Sequence, residues 1–392
     1  MDPLQRIVEA AREHPFYAEG HLQGVRRFED CPVLYKARLY RGAALALGDP
    51  DFRRSIYLSP TGGTSTGRPL YFPTDIRENQ EQRARLARRL EAAGILGAAS
   101  IALNLFSCGR LLRSLSIFDD FAERCGATTL PLGAAATDDE AGAAAEQFGA
   151  TMVMGMPSRL TAFARWCEAQ GRRFAFESVL FAGEALHLGK RRFLEHALGV
   201  RRFDAVYGSA EMGIVAYQAD VTEPPVYRFP RELLHVEIGE PDGEGFGRLI
   251  VTNMVRTRHP LLRYDTGDVG RLVSEGEDEL LVELRGRISD SFTIGGDYFH
   301  LREFASVLDR FAQYQITIAF DPETGADRIV FRLVAQAPAG DVERARAAEE
   351  LRALLDLDDR SVAAEAIYIR PDELVYRPGT LKVPAILDMR DR

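Results

Sequence analysis

The chain has 392 residues, of which 46% are hydrophobic and 27% charged, as is typical of a globular protein with a core of its own. Its formal net charge of −9 argues against a nucleic-acid-binding protein. No apolar run reaches the ~18 residues that a membrane span needs, and the four cysteines lack the paired CxxC spacing of a zinc cluster. Acidic residues near the start, where a signal peptide would be apolar, favour a cytoplasmic location away from the membrane.

The first half of the chain predicts alternating helices and strands. The first fifty residues favour helices, because Leu4, Ile7 and Ala11 repeat at helical spacing. A short strand at 55–58 precedes a loop at 59–69 that is rich in glycine and hydroxyl residues. Beyond this loop the alternation is typical of βαβ units and a mostly parallel sheet. The predicted helices are 75–93, 110–124, 138–147, 158–169 and 188–197, and the predicted strands are 101–106, 127–132, 151–155, 178–183 and 203–208.

From about residue 214, short strands follow one another without helices, which predicts an antiparallel region of barrel or sandwich type. LLRYDTG and GRLVS are two of these predicted strands. Beyond Arg287, a small α+β unit is predicted from strands at 314–320, 328–335 and 365–370 and a helix at 341–354. We therefore expect an α/β protein with two domains. Residues 1–287 would form a large domain of mostly parallel α/β sheet plus the antiparallel region, and 288–392 a small, mobile α+β domain.

Lysine is rare in this chain, because only three of the 49 basic residues are lysines, at Lys36, Lys190 and Lys382. An ammonium and a guanidinium recognise different groups, so each retained lysine calls for a reason. Lys190 precedes two arginines and is predicted to lie on a solvated helix surface. Lys382 lies close to the C-terminus.

Four segments have residues suited to nucleotide binding. The glycines of the loop at 59–69 would let backbone N–H groups line an anion site. The segment 181–185 follows the carboxyl end of a predicted strand. In 206–213, Tyr207 offers an aromatic face and Glu211 a carboxylate for Mg²⁺, and in 263–268 Asp268 could accept two hydrogen bonds from a sugar diol. Each segment alone has an ordinary alternative: a hairpin turn, a strand-to-helix turn, a solvated acid or a capping Asp.

The order of these segments is more specific than any one of them. Followed by Arg287 and a small C-terminal unit with a lysine, it resembles the adenylate-forming superfamily of acyl-CoA synthetases, peptide-synthetase adenylation domains and luciferases. Within this superfamily the chain resembles the phenylacetate–CoA ligase-like branch. The closer resemblance is carried by HPFY at 14–17, LYK at 34–36, GMPS at 155–158, GRLIVT at 247–252, PLLRY at 260–264 and the stretch 286–297.

This resemblance implies a two-step reaction. ATP and a carboxylic acid would give an acyl-adenylate and pyrophosphate. The acyl group would then pass to a thiol, usually that of CoA. A carboxylate is already ionised at pH 7, so the first step needs positioning and charge screening at the α-phosphate rather than a general base.

The resemblance also implies residue roles. Glu211 would hold Mg²⁺, and Tyr207 with Gly183 and Glu184 would enclose adenine, next to Gly208 and Ser209. Asp268 would bind the ribose hydroxyls with support from Arg287. Lys382 would bridge the carboxylate and the α-phosphate, the alternative being a surface lysine. The loop residues that would wrap the β- and γ-phosphates are Thr61, Gly62, Gly63, Thr64, Ser65, Thr66, Gly67 and Arg68. The predicted catalytic residues are Lys382, Glu211 and Arg287.

The acyl pocket is expected beside the same strand ends. Phenylalanine, methionine and glycine there favour a flat aromatic acid, with a short aliphatic acid as the alternative. Apolar residues at strand ends, however, belong more often to the core than to a pocket. The predicted pocket residues are Asn104, Phe106, Gly155, Met156, Pro157, Phe181, Ala182 and Ala210.

Three positions depart from the family pattern: Arg68 stands where lysine is usual, Ala210 where threonine precedes the Mg²⁺ ligand, and Ser289 where the hinge is charged. The acceptor therefore stays open between CoA, a carrier-protein thiol, a protein cysteine and an amine. An alternative from another class is a catalytically degenerate nucleotide-binding homologue, against which the retention of Glu211 and Lys382 argues. The sequence leaves the oligomeric state open, with a homodimer as one alternative.

Overall fold

The structure is a computed structural model, and its main division lies between Gly286 and Arg287, which separate two compact units. Among the described residues, no helix is both long and apolar enough to cross a membrane. The assignment of 1–287 as an adenylation domain and 288–392 as a mobile domain stays a prediction. The structure describes residues 2–60, 71–109, 111–184, 186, 188–222, 224–288, 291–294, 297–321, 326–335, 341–355, 362–376 and 383–389.

Up to the boundary, helices and strands alternate as predicted and are followed by strands alone. In chain order they are α1 Pro3–Glu13, α2 Lys36–Gly48, β1 Ile56–Pro60, β2 Tyr71–Asp75, α3 Ile76–Ala92, β3 Ile101–Asn104, α4 Ser114–Arg124, β4 Thr128–Pro131, α5 Asp138–Phe148, β5 Met152–Gly155, α6 Pro157–Ala169, β6 Ser178–Phe181, α7 Leu188–Leu198, β7 Arg202–Ser209, β8 Gly213–Gln218, β9 Val226–Pro230, β10 Leu234–Gly239, β11 Gly247–Asn253, β12 Tyr264–Glu275 and β13 Glu279–Arg287.

Eleven of these strands form one sheet, in the order β10-β11-β12-β13-β9-β8-β7-β6-β5-β3-β4, while β1 pairs with β2 in a hairpin of its own. The strands from β7 to β4 are parallel. The strands after residue 214 pair antiparallel, as predicted. They do not start a new sheet, because β8 pairs antiparallel with β7 and the later strands extend the same sheet. LLRYDTG and GRLVS belong to one strand, β12.

The parallel half of the sheet separates two cores, because successive side chains of a strand point to opposite faces. On β6, Val179 and Phe181 belong to one buried cluster and Leu180 to the other. A third cluster packs the N-terminal helices against the antiparallel strands and includes Ile7, Tyr17 and Leu34. This arrangement places the carboxyl ends of the parallel strands at one edge, where ligands bind in open α/β sheets.

The second unit is the small α+β body that its sequence predicts. It has a core that includes Phe304, Ile316, Phe331 and Leu351. Its four-stranded sheet runs in the order β18-β17-β16-β19, next to the hairpin β14-β15. Its elements are β14 Ser291–Ile294, β15 Asp297–His300, α8 Ala305–Leu308, β16 Gln313–Asp321, β17 Ala326–Val334, α9 Asp341–Leu355, β18 Val362–Tyr368 and β19 Ile386–Asp388.

Candidate active site

The tight turn that joins β7 to β8 lies at the centre of the candidate site. Gly208 is required there, because a Cβ atom would lie 2.2 Å from the carbonyl oxygen of Gly213. Gly213 itself has a φ of +74°, a conformation that side chains other than hydrogen rarely adopt. The turn presents Ser209, Ala210 and Glu211 at the edge where the parallel strand β7 ends.

Two of the predicted nucleotide-binding side chains touch each other. The Tyr207 hydroxyl, at the end of β7, donates a hydrogen bond to the Asp268 carboxylate on β12. The Tyr207 ring also packs against Phe229, with ring centroids 5.6 Å apart. The Asp268 backbone N–H donates to the Thr266 hydroxyl over 3.1 Å, which fixes the turn that aims the carboxylate. The structure thus joins two segments that lie 61 positions apart in the chain.

Glu211 is buried, with only 4% of its surface exposed. The Tyr40 hydroxyl donates to its Oε1 over 2.7 Å, and the Lys36 Nζ lies 3.5 Å from the same oxygen. Burial alone would raise the pKa of Glu211, but Lys36 and the hydroxyls of Tyr40 and Ser209 together hold that pKa below its ordinary value. The carboxylate is therefore ionised at neutral pH.

Glu211 has the chemistry that Mg²⁺ requires. Mg²⁺ is usually bound by one or two carboxylates together with substrate phosphates, so a single ionised carboxylate fits. Within the described ranges, no group of three or more His, Cys, Asp or Glu side chains could hold a metal by itself. A metal at Glu211 would take its remaining ligands from elsewhere, such as water or substrate phosphates.

A buried polar network supports the turn from below, and the sequence did not reveal it. The Gln82 side chain, on α3, donates to the carbonyl oxygens of Met212 and Ile214. The Asn253 amide donates to Gln82 over 2.8 Å. The fully buried Arg256 donates to the backbone carbonyl of Glu211. The available signal was the polar residues Asn79, Gln82 and Arg83, which continue the buried face of α3 beyond Leu86 and Leu90.

The N-terminal segments that carry the branch resemblance dock on the Asp268 motif. Leu34 forms a parallel β-bridge with Tyr264. The Leu34 N–H donates to the Arg263 carbonyl over 2.8 Å, and the Leu34 carbonyl accepts from the Asp265 N–H over 3.0 Å. The Tyr17 hydroxyl donates to the Pro260 carbonyl over 3.0 Å. The first fifty residues therefore support the predicted nucleotide side of the candidate site, which consists of Tyr207, Glu211 and Asp268.

Gly183 and Glu184, predicted near adenine, link two strand ends. Glu184 accepts hydrogen bonds of 2.8 Å from both the backbone N–H and the hydroxyl of Ser158, at the start of α6. Gly183 has a φ of +83°, and the Met156 side chain is its nearest neighbour, 3.8 Å from where a Cβ would lie. The GMPS segment and residues 183–184 thus meet at one edge.

Several predicted pocket residues lie within the core. Asn104 is fully buried, and its amide donates to Leu115 and Asp119. Phe106 stacks on Phe118 with ring centroids 3.7 Å apart. Phe181 lies in the cluster on the opposite face of the sheet. The buried residues Gly155, Pro157 and Ala182 and the half-buried residues Met156 and Ala210 complete the set. Their role as a pocket stays a prediction.

The remaining predicted residues lie elsewhere in the chain. Arg287 is exposed at the end of β13 and begins the second unit. Lys382 lies outside the described residues, as does Ser289. The predicted phosphate-loop residues also lie outside them: Thr61, Gly62, Gly63, Thr64, Ser65, Thr66, Gly67 and Arg68.

No family model matches the chain. The chain is 24% identical over 252 residues to the indoleacetate–lysine synthetase of Pseudomonas savastanoi, covering 63% of this chain and 61% of that protein. It is 27% identical over 188 residues to the phenylacetate–coenzyme A ligase of Pseudomonas putida, covering 45% of this chain and 42% of that protein. The chain thus matches less than two thirds of the length of either relative.

Solved structures share the fold. The crystal structure of 2-hydroxyisobutyryl-CoA ligase with 2-HIB-AMP matches 99% of this chain and 88% of that one, with 20% identity and a TM-score of 0.75. The anthranilate CoA ligase AuaEII with anthranoyl-AMP matches 85% of this chain and 66% of that one, with 16% identity and a TM-score of 0.59. The predicted α/β fold class and the resemblance to the phenylacetate–CoA ligase-like branch are confirmed.

Proposed function

We propose that this chain, with the fold of the adenylate-forming ligases, activates a carboxylic acid with ATP and transfers the acyl group to a thiol, that of CoA. One observation carries the proposal. Tyr207 and Asp268 share a hydrogen bond, and the ionised Glu211 lies in the turn directly after Tyr207. An aromatic face and a carboxylate suited to Mg²⁺ therefore lie at the end of β7. A carboxylate suited to ribose, on β12, contacts that strand end.

The proposed chemistry balances without a general base in its first step. A carboxylate oxygen of the acid bonds to the α-phosphorus of ATP, and the bond from that phosphorus to the leaving oxygen breaks, releasing pyrophosphate. The thiol then loses its proton to solvent and its sulfur bonds to the acyl carbon. The bond from that carbon to the phosphate oxygen breaks, which releases AMP. Mg²⁺, when bound, neutralises charge on the phosphates, and Glu211 would hold it. Tyr207 and Asp268 orient the nucleoside, and Lys382 and Arg287 would act from the C-terminal part of the chain.

An aromatic acid is the substrate class we favour. The relatives and one structural neighbour are named for phenylacetate, indoleacetate and anthranilate, all of which carry an aromatic ring. The half-buried Met156 beside Gly183 offers a flexible apolar wall for such a ring. A short aliphatic acid remains the alternative, in line with the name of the 2-hydroxyisobutyryl ligase.

An amine acceptor is the second candidate, because one relative, which matches 63% of this chain, is named indoleacetate–lysine synthetase. The two acceptors give different products from the same acyl-adenylate. Supplying CoA, free lysine or a phosphopantetheinyl carrier protein and weighing the products by mass spectrometry separates a thioester from an amide.

The direct test is acid-dependent ATP–pyrophosphate exchange with phenylacetate, indoleacetate, anthranilate, benzoate and 2-hydroxyisobutyrate. We expect exchange with an aromatic acid and a loss of about 10²–10³-fold in Lys382→Ala. Lys190→Ala serves as the matched lysine control and should retain exchange. If a folded protein exchanges with no acid while it still binds ATP, the degenerate nucleotide-binding alternative takes its place.

A further inference from the structure

Lys36 is one of the three lysines and begins α2, with its side chain 43% exposed. Its ammonium lies 3.5 Å from Oε1 of Glu211, the carboxylate that would hold Mg²⁺. Tyr40, one helical turn later, donates to the same oxygen over 2.7 Å. Two side chains of one helix thus converge on one oxygen of the buried carboxylate.

This pairing is built into the fold. Leu34, two residues before Lys36, is fixed to Arg263 and Asp265 by backbone hydrogen bonds. On the other side, Arg256 donates to the backbone carbonyl of Glu211. Both partners are therefore anchored by contacts other than their own ion pair.

The position is an unfavourable one for a lysine in itself. A cation in the first turn of a helix opposes the helix dipole, and the N-cap residue Tyr35 makes no side-chain hydrogen bond there. The chain uses arginine at nearly every other basic position. An ammonium is compact and has three N–H donors, and the ion pair with Glu211 engages it from one side only. Because the Lys36 side chain is partly exposed, a second anion could approach the ammonium from the solvent side.

We propose that Lys36 is the resident counter-ion of Glu211 and makes divalent-cation binding at Glu211 depend on the polyphosphate of the nucleotide. Without nucleotide, Lys36 satisfies the carboxylate and repels a metal. A polyphosphate offers the ammonium another anion, which frees Glu211 for the metal. Lys36 is a positioning residue in this account, which rests on the proposed function for the identity of the nucleotide.

The experiment measures Mn²⁺ binding to the nucleotide-free protein by electron paramagnetic resonance, with Mn²⁺ in place of Mg²⁺. Removing a unit charge about 4 Å from a carboxylate should strengthen metal binding there by about tenfold or more. We expect Lys36→Met to bind Mn²⁺ about tenfold more tightly than wild type, and Lys36→Arg to resemble wild type because the charge is kept. Lys190→Met is the matched control. Combining Lys36→Met with Glu211→Gln should abolish the gain.

A second readout is the coupling between metal and nucleotide. A non-hydrolysable ATP analogue should strengthen Mn²⁺ binding to wild type by more than it does in Lys36→Met. Unchanged Mn²⁺ affinity in a folded Lys36→Met protein, or an equal gain when Glu211 is also replaced, overturns the proposal. If Lys36→Met does not fold, Lys36→Gln replaces it with the same criteria.

The two proposals fail separately. Tighter Mn²⁺ binding in Lys36→Met without acid-dependent exchange in wild type would retain the counter-ion role and remove the ligase function. Acid-dependent exchange in wild type together with unaltered Mn²⁺ binding in Lys36→Met would retain the ligase function and remove the counter-ion role. Melting curves from circular dichroism establish that each variant is folded.

Discussion

The predicted nucleotide side of the candidate site, formed by Tyr207, Glu211 and Asp268, differs from the predicted acyl side in what its side chains contact. Tyr207, Glu211 and Asp268 contact polar partners from distant segments. Phe106 and Phe181 instead pack into two cores on opposite faces of the sheet. The three polar side chains are thus held by hydrogen bonds and an ion pair from distant segments, whereas the two apolar side chains are held by packing in the core.

Replacing a core phenylalanine should give the largest effect. Phe181 is buried in the cluster that also holds Val179 and Phe203. We expect Phe181→Ala to lower the free energy of unfolding by about 3–5 kcal/mol, measured by urea denaturation. A loss below 1 kcal/mol together with a changed acid preference would instead make Phe181 a pocket wall and break the comparison.

Glu211→Gln tests the polar side with an isosteric change. Removing the charge should slow ATP–pyrophosphate exchange by about 10²–10³-fold, because the carboxylate can no longer hold Mg²⁺ at full strength. Glu13→Gln, an exposed glutamate at the end of α1, is the control and should exchange normally. Equal rates in Glu211→Gln and wild type would remove Glu211 from the proposed machinery.

The stability of the N-terminal segments that support the predicted nucleotide side should also depend on pH. Burial lowers the pKa of His14 and of His259 to about 4, from an ordinary value of 6.5. Between pH 6.5 and pH 4 the two histidines are therefore protonated in the unfolded chain but neutral in the folded protein. Their contribution to the free energy of unfolding is fully present above pH 6.5 and is lost as the pH falls toward 4. Each histidine should cost about 2 kcal/mol of unfolding free energy between pH 7 and pH 5.

Urea denaturation across this pH range measures the effect. His259→Asn, which does not titrate there, should lose less stability on acidification than wild type. Parallel curves for the two proteins would contradict the prediction, because they would show that His259 has the same pKa in the folded and the unfolded protein.

The smallest expected change comes from Tyr207→Phe. This variant keeps the aromatic face and removes the hydroxyl that donates to Asp268. We expect the KM for ATP to rise about tenfold with kcat changed less, since one hydrogen bond to a charged group contributes ~1.5–3 kcal/mol. An unchanged KM would mean that Asp268 keeps its orientation through Thr266 alone.

Local patterns in the sequence predicted much of the fold. The helix expected at 75–93 lies at Ile76–Ala92, because Asp75 caps it and Leu86 and Leu90 give it an apolar face. The joining of β8 to β7 in one continuous sheet was not predictable, since strand pairing between distant segments leaves no local pattern. Gln82 was missed for the same reason, because its partner Met212 lies 130 positions away.

The polar residues of the site were predicted from their residue types and from the order of the motifs along the chain. The structure adds the side chains that contact them. Lys36 and Tyr40 at Glu211, and Arg256 behind it, could not be placed from the sequence. They come from a helix that precedes the predicted phosphate loop and from a loop that precedes β12. The pairing of Leu34 with Tyr264, which joins distant segments, helps to place this helix beside the turn.

The central claim is that one nucleotide is bound by segments far apart in the chain. Hydrogen–deuterium exchange with a non-hydrolysable analogue of phenylacetyl-adenylate measures this most directly. The account predicts that the analogue slows exchange in both 204–212 and 264–270, and that Asp268→Ala weakens both effects together. Protection of only one segment, by an analogue that demonstrably binds, would contradict it.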